Sequence, residues 1–255
     1  MSVVLILLPP SESKRAPARG LALDPGTRPV PLRAPTEQVL DALVEVCITS
    51  PADAARALKL TAGQWDLLDL NAGLRHAPAA PAWQVYDGVL YDALDFASLR
   101  GAARRRGLSD VWVVSALFGV VPLGEAIPAY RLSAGTSLPA LPPLRQVWHE
   151  AIDEVVRAAD PPVILDLRSG PYAMMWPVPA DLRERTVTGK IWQAGPGGER
   201  VAVSHHNKAY KGRLTRSLLQ SRRRPSTPKA LVAAVTDLGW VAGLDNGRLD
   251  VVVDP

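Results

Sequence analysis

Residues 3–8 read Val-Val-Leu-Ile-Leu-Leu and are followed directly by Pro9 and Pro10. A continuous apolar run of this length, stopped by two prolines, is typical of a β-strand whose two faces are both buried. Strands of this kind lie in sheets that are covered by helices on each side. The opening stretch therefore predicts an α/β protein.

The rest of the chain alternates predicted helices with predicted strands. Apolar strand patterns occupy residues 111–117 and 163–167, strands and turns alternate over 186–203, and 251–253 supply the last strand. Helical spacing covers residues 36–72 as two or three short helices, 95–107, 141–159, 207–222, and a last helix that begins at Thr227-Pro228. This order favours a mixed, partly parallel sheet flanked by helices. Because no repeat or linker divides the chain, we expect residues 1–255 to form a single large domain.

Two breaks interrupt the helical region 36–72. Ser50 and Thr61 stand at helix starts, where their hydroxyl groups are suited to N-capping. The break at Thr61-Ala62-Gly63 is compatible with the turn of a helix-hairpin-helix element, which presents backbone N–H groups to a nucleic-acid phosphate. The alternative is an ordinary helical hairpin, which is the more common structure for such a break.

Composition narrows the possible classes of protein. The chain has 255 residues, of which 47% are hydrophobic, so it can bury a sizeable core. Its apolar runs fall far short of the roughly 20 residues that cross a bilayer, so no membrane partner is expected. The first residues lack the basic lead and cleavage site of a signal peptide, which favours a cytoplasmic location. The single cysteine, Cys47, excludes an internal disulfide and a thiolate-rich metal site.

Positive charge is concentrated in one segment. The net charge is +4, yet residues 200–229 contain nine Lys or Arg residues and no Asp or Glu. The remaining 20 basic and 25 acidic residues leave the rest of the chain at −5. A local excess of this size predicts a basic surface for an anionic partner. The alternative is an ordinary solvated helix face.

Polar residues follow each of the three most apolar predicted strands. Ligands of open α/β sheets bind at the carboxyl ends of the strands, so these loops are expected to share one crevice. The candidate catalytic residues are Lys14, Tyr86, Ser115, Asp166 and Ser169. Lys14 and Asp166 are candidates for acid–base roles, and the two serines for orienting a substrate.

Other side chains around the expected crevice suit ligand binding. Tyr86 or Tyr130 can stack on a base, and cationic side chains can hold a phosphate. The candidate ligand or phosphate-binding residues are Ser11, Ser13, Tyr130, Arg131, Lys208, Lys211 and Arg213. The adjacent His205 and His206 do not form a metal pair by themselves, and neither a metal nor another cofactor is expected.

Several short motifs occur together in a recognisable order. They are Pro-Pro-Ser-Glu-Ser-Lys at 9–14, Tyr-Asp-Gly-Val-Leu-Tyr at 86–91, Val-Ser-Ala-Leu-Phe-Gly at 114–119, Pro-Ala-Tyr-Arg-Leu at 128–132, Trp148, Asp-Leu-Arg-Ser-Gly-Pro-Tyr at 166–172 and the basic region 204–219. In order and spacing the chain resembles the YaaA family of bacterial peroxide-stress proteins over nearly its whole length. It departs from the enterobacterial form at Gly170-Pro171 and carries Glu12 and Lys14 in the actinobacterial style.

The resemblance implies a function that the motifs alone do not. Proteins of this family are described as cytosolic, with a basic cleft and a helix-hairpin-helix element, as binding DNA, and as limiting iron-dependent oxidative damage. The first hypothesis is therefore a peroxide-stress protein that binds DNA or another phosphate-bearing ligand and limits that damage indirectly. The alternative is an enzyme that acts on a nucleoside, nucleotide or nucleobase, of the N-glycosidic bond lyase or hydrolase type. The sequence leaves the oligomeric state open.

Overall fold

An eight-stranded sheet forms the centre of the molecule. The computed structural model describes residues 4–194, 200–202 and 207–253. In this part of the chain the sheet consists of β1 (Val4–Leu8), β3 (Val111–Ser115), β4 (Gly119–Pro122), β6 (Val163–Asp166), β7 (Thr186–Ala194), β8 (Arg200–Ala202), β9 (Val241–Asp245) and β10 (Arg248–Val253). Two further short strands, β2 (Ala80–Pro81) and β5 (Ala126–Ile127), pair with each other.

The order of the strands confirms the predicted mixed sheet. Along the sheet they follow the order β4-β3-β1-β6-β7-β10-β9, and β8 pairs with β7. The central pairs β3–β1, β1–β6, β6–β7 and β7–β10 are parallel, whereas β4, β8 and β9 are antiparallel to their neighbours. Leu8 lies opposite Val113, and Leu7 lies opposite Asp166. The carboxyl ends of β1, β3 and β6 therefore meet at one edge, as the sequence predicted.

Burial explains the apolar sequence of β1. Its residues Leu5 to Leu8 are each at most 2% exposed. A strand at the middle of a parallel sheet is covered on both faces, so every position along it favours an apolar side chain.

Helices flank this sheet. They are α1 (Val30–Thr49), α2 (Pro51–Ala57), α3 (Asp66–Ala72), α4 (Ala82–Val85), α5 (Val89–Leu94), α6 (Gly101–Asp110), α7 (Leu144–Ala159), α8 (Gly170–Ala173), α9 (Asn207–Gln220) and α10 (Pro228–Asp237). Helix α1 contacts α7, and α6 contacts α9. The Thr227 hydroxyl accepts a hydrogen bond from the backbone N–H of Ala230, which confirms the predicted start of α10.

Some helix starts and one N-cap differ from the prediction; helix α7, for example, begins at Leu144 rather than at residue 141. Helix α1 begins at Val30 rather than at residue 36, because Pro31 is tolerated in the first turn, where N–H groups have no helical partner. The predicted helix 95–107 is a 3-10 turn at Phe96–Ser98 followed by α6. The Ser50 side chain makes no capping bond, and its place at the start of α2 is held by the following proline.

The predicted helix-hairpin-helix element is not confirmed. Between α2 and α3 the chain forms one 3-10 turn, Ala62–Gln64, which a capping box between Thr61 and Gln64 closes. The Gln64 side chain accepts the Thr61 N–H at 3.1 Å. A backbone donor at this turn is thus already occupied by the turn's own side chain.

None of the helices in the described part of the chain combines the length and the apolar character that a bilayer span requires.

Candidate functional site

Two neighbouring cavities lie along the carboxyl edge of β1, β3 and β6. The inner cavity has a volume of about 430 Å³, and the outer one a volume of about 800 Å³. Glu12 and Ser13, in the loop after β1, line both of them. The loop therefore stands between the two parts of one cleft. Openings of this size accept a small molecule or part of a larger one.

Lys14 lies in the wall of the inner cavity with its ammonium group against aromatic rings. The Nζ atom is 4.1 Å from the centre of the Tyr130 ring and 5.8 Å from that of Tyr86. It donates hydrogen bonds to the carbonyl oxygens of Ser11, at 2.8 Å, and Glu12, at 3.5 Å. Burial of the ammonium, assisted by the nearby charge of Arg131, lowers the pKa of Lys14 to about 7. The side chain is thus poised to exchange a proton near neutral pH.

Three buried hydroxyl groups form a chain next to Lys14. The Ser115 Oγ atom accepts hydrogen bonds from the backbone N–H groups of Leu117 and Phe118, at 3.2 and 3.1 Å. It lies 2.7 Å from the Tyr130 hydroxyl, which lies 3.1 Å from the Tyr86 hydroxyl. Burial raises the pKa of both phenols, so both remain protonated.

The donors in this chain of hydroxyl groups can be assigned by counting. A hydroxyl group donates one hydrogen bond and accepts two. The two backbone N–H groups fill both acceptor positions of Ser115, so Ser115 donates to Tyr130. The contact between Tyr130 and Tyr86 then uses only one of their two phenolic protons. By this count, the other phenolic proton has no free acceptor left within the chain of hydroxyl groups.

A buried arginine fixes the turn that orients Ser115. The Arg28 guanidinium donates to the carbonyl oxygens of Phe118, at 2.9 Å, and Val120, at 2.7 Å. Its charge is balanced by Glu125, at 2.6 Å. The N–H groups that set the direction of the hydroxyl chain are therefore held by the β3–β4 turn.

Arg131 adds a second cation to the inner cavity. Its backbone N–H and carbonyl groups bond to the side-chain amide of Asn71, both at 2.9 Å, which ties the loop after β5 to α3. Its guanidinium contacts Glu12 at 3.4 Å, with side-chain exposures of 18% for Arg131 and 80% for Glu12. A long contact to an exposed carboxylate is weak, so most of the donors of Arg131 are available to a ligand.

Asp166 occupies a different position from the one its predicted acid–base role needs. Both of its carboxylate oxygens accept from the Arg168 guanidinium, at 2.9 and 2.7 Å, and one also accepts the Arg168 N–H. Asp166 and Arg168 are 5% and 7% exposed. Because this bidentate ion pair uses the carboxylate, the geometry fits a structural role at the end of β6.

The outer cavity gathers the other predicted ligand residues. Ser11, Ser169, Lys208 and Lys211 line it together with Tyr172. The Lys211 ammonium is buried and donates to the carbonyl oxygen of Leu167 at 2.8 Å. This burial lowers the pKa of Lys211. Lys208 and Ser169 remain exposed, which leaves them accessible to a ligand.

Helix α9 is held against the cleft by a close contact with α5. A Cβ atom at Gly212 would collide with the carbonyl oxygen of Leu90, so only glycine permits this approach. Arg213, on the same turn, is exposed beside the ring of Tyr210, at 5.4 Å, and is not among the described residues that line either cavity.

The described cations of the basic segment 200–229 lie in different surroundings. Arg216 pairs with Asp95, and Arg223 with Asp237. Arg223 and Arg224 also line a small hollow with Val4, at the amino end of β1. The 14 residues of α9 extend over about 21 Å, which separates this end of the segment from Lys208.

Three residues of the cleft were absent from the predicted site. Tyr172 lines the outer cavity, Glu12 lines both cavities, and Arg168 holds Asp166. All three lie within the motifs quoted above, so their position after a strand was the available signal. Tyr86 was predicted to stack on a base, but its ring is buried and already stacks on Tyr91 at 5.3 Å.

In the described ranges, no three His, Cys, Asp or Glu side chains form a cluster that could hold a metal ion. His205 and His206 lie outside the described residues.

Comparison with known proteins agrees with the order of the motifs. The family model described as peroxide stress protein YaaA matches residues 4–241. A UPF0246 protein of Streptomyces coelicolor is 43% identical over 93% of this chain and 91% of its own length. Another from Corynebacterium efficiens is 35% identical over 98% of both chains. With a family match across nearly its whole length and relatives at this level of identity, the chain belongs to the YaaA family of peroxide stress proteins.

Proposed function

We propose that the cleft binds a nucleotide, or a related nucleoside or nucleobase, and catalyses a proton-transfer reaction on it. One observation carries this proposal: the amine of Lys14, with its pKa of about 7, lies against the ring of Tyr130, whose hydroxyl group belongs to the chain with Ser115 and Tyr86. A base and an acid thus face the same inner cavity. Sites that work by acid–base catalysis need such a pair with pKa values driven apart by their surroundings.

The reaction class follows from these two groups. Neutral Lys14 can remove a proton from a ligand, and a phenol can return one to a leaving group. Arg131 is placed to hold a phosphate or carboxylate of the ligand at the same cavity. Cleavage of an N-glycosidic bond, as a hydrolase or a lyase, needs this combination because the departing base must be protonated.

Incubation with a panel of nucleosides and nucleotides, read by mass spectrometry, tests the proposal. Wild-type protein should release a product from at least one member of the panel. Lys14→Met should release none, and Lys59→Met, at an exposed lysine in the wall of the outer cavity, should behave like wild type. If no member is altered by the wild-type protein at any pH, the catalytic proposal is wrong.

DNA binding is the second candidate, favoured by exposed cations near the outer cavity. Lys208 lines that cavity, and Arg213 is exposed one turn further along α9. Two such cations suit a phosphate backbone. Fluorescence anisotropy with duplex and single-stranded DNA should show binding that weakens with added salt. Absence of binding at low salt would exclude this candidate.

Both candidates connect to peroxide stress in the same way. A cytoplasmic protein that shields DNA or processes damaged nucleotides limits iron-dependent oxidative damage indirectly, without sequestering the metal. We place this chain in that role.

A further inference from the structure

Within the described residues, the half-buried Lys14 lacks a carboxylate partner that would neutralise its ammonium group. In the described part of the chain its hydrogen bonds go to two carbonyl oxygens, and its remaining surroundings are the faces of Tyr86 and Tyr130. No ion pair of Lys14 occurs there, whereas Arg131 meets Glu12. A desolvated lysine beside another cation is the arrangement in which an amine becomes a nucleophile.

An anion site lies across the same cavity. The Arg131 guanidinium has five donors, of which Glu12 occupies few, and at 3.4 Å. Displacing an exposed carboxylate from such a long contact costs little. A phosphate or carboxylate bound to Arg131 would place the rest of a small molecule within the inner cavity, in the direction of Lys14.

The hydroxyl chain supplies a proton at the point where a carbonyl oxygen would need one. Counting donors leaves one phenolic proton of Tyr86 or Tyr130 without a free acceptor among these three hydroxyl groups. Tyr130 itself lines the inner cavity. Nucleophile, anion site and acid thus converge on one space of about 430 Å³.

From this convergence we propose that Lys14 is a nucleophile that forms a covalent imine with an aldehyde or ketone whose phosphate or carboxylate is bound by Arg131. The lone pair of the amine attacks the carbonyl carbon, and the carbonyl oxygen takes a proton from the phenol. The nitrogen then gives up both of its protons: one restores the phenol, and the other goes to the hydroxyl group of the carbinolamine, which leaves as water when the C=N bond forms. The step consumes one amine and one carbonyl group and releases one water, so no oxidant or reductant is needed.

This inference rests on the proposed function, since it uses the same cleft and the same neutral amine, and it adds the covalent step. Glyceraldehyde 3-phosphate and glyceraldehyde serve as probes with and without the anion. Sodium cyanoborohydride reduces any imine to a stable secondary amine, and peptide mass spectrometry then locates it. The proteins compared are wild type, Lys14→Arg, Lys59→Arg and Arg131→Gln.

We expect glyceraldehyde 3-phosphate to label Lys14 at least about tenfold faster than Lys59 at about pH 7.5, where a lysine of ordinary pKa is only about 0.1% neutral. Lys14→Arg should lose this label, and Lys59→Arg should keep it. Arg131→Gln should lower the rate with glyceraldehyde 3-phosphate about tenfold, towards that with glyceraldehyde.

Two results would overturn the inference. Wild-type Lys14 that is labelled no faster than Lys59 contradicts the nucleophile, and this result does not depend on how any variant folds. Equal rates with the two probes contradict the anion site. Nucleotide turnover without a trapped imine would support the proposed function and contradict the imine. A trapped imine without nucleotide turnover would support the imine and contradict the proposed function.

Discussion

The inner cavity and the basic segment 200–229 differ in how their positive charges are balanced by partners. The cavity has two basic residues, Lys14 and Arg131, and the exposed carboxylate of Glu12 contacts only Arg131. The segment has nine cations, but Lys211 bonds to carbonyl oxygens while Arg216 and Arg223 form ion pairs within the protein.

The difference shows that the number of charges in a segment is a poor guide to a site. A desolvated cation with a weak partner raises the free energy of the folded protein, and functional sites are where such an arrangement is common. An exposed cation costs almost nothing and carries no such information. Two poorly balanced charges in the cleft therefore indicate a ligand more strongly than nine dispersed ones.

The largest effect is expected where the cleft depends on its buried ion pair. Asp166→Asn removes the charge that balances Arg168, and breaking a buried pair in this way costs about 3 kcal/mol or more. Urea denaturation should show this loss of free energy of unfolding. The matched control is Asp181→Asn, which breaks an exposed pair with Arg157 and should cost about 1 kcal/mol or less. Equal losses of the free energy of unfolding would mean that the buried ion pair contributes no more to stability than the exposed one.

The second prediction concerns ligand affinity, which should depend on the inner cavity and not on the basic segment. Arg131→Gln should weaken binding of adenosine monophosphate by at least about tenfold, since a hydrogen bond to a charged group contributes about 1.5–3 kcal/mol. Arg223→Gln, in the basic segment, should change it less than about twofold. Calorimetry on both variants gives the comparison. A larger effect of the second variant would place the ligand on the basic segment.

The titration of Lys14 gives a third test, through stability. Its pKa is about 7 in the folded protein and 10.5 as an ordinary lysine, so between these values the unfolded chain binds a proton that the folded one does not. Stability therefore rises with pH across this window. In urea unfolding, the free energy of unfolding of wild type should rise relative to that of Lys14→Met between about pH 7 and pH 10. The groups that face Lys14, which are Glu12, Arg131, Tyr86 and Tyr130, are the same in both proteins. A difference that is constant with pH would contradict the neutral amine.

The smallest effect belongs to the far end of the basic segment. Replacing Arg222, Arg223 and Arg224 by Ala should reduce the salt dependence of any DNA binding by about two units of slope at most, because Arg223 is already paired. The free energy of unfolding should change by about 0.5 kcal/mol or less for each exposed change. Anisotropy at several salt concentrations measures the slope. Loss of nucleotide binding in the same triple variant would show that the inner cavity and the basic segment belong to one site.

Much of this architecture could be predicted because it depends on local pattern. The apolar runs of β1, β3 and β6 required burial on both faces, and polar loops after parallel strands had to share an edge. The start of α1 was missed, since Pro31 and Pro35 resemble loop residues in sequence. The role of Asp166 depends on a contact with Arg168 that only the turn after β6 creates.

The cluster around Lys14 shows the same limit for chemistry. Its residues come from four separated places, at positions 14, 86, 115 and 130, and no spacing rule connects them. The motif order identified the family, and the strand ends located the cleft. Which hydroxyl donates to which is a property of the assembled fold.

The direction of the hydroxyl chain is set by the backbone N–H groups of Leu117 and Phe118. Apart from proline, a substitution at those two positions leaves the peptide N–H in place. Over evolutionary time, the side chains that select a substrate can therefore diverge among relatives while the direction of the hydroxyl chain is kept, provided that Ser115, Tyr130 and Tyr86 are kept. A relative with a new substrate would need different residues lining the cleft and could keep the same phenol as its acid.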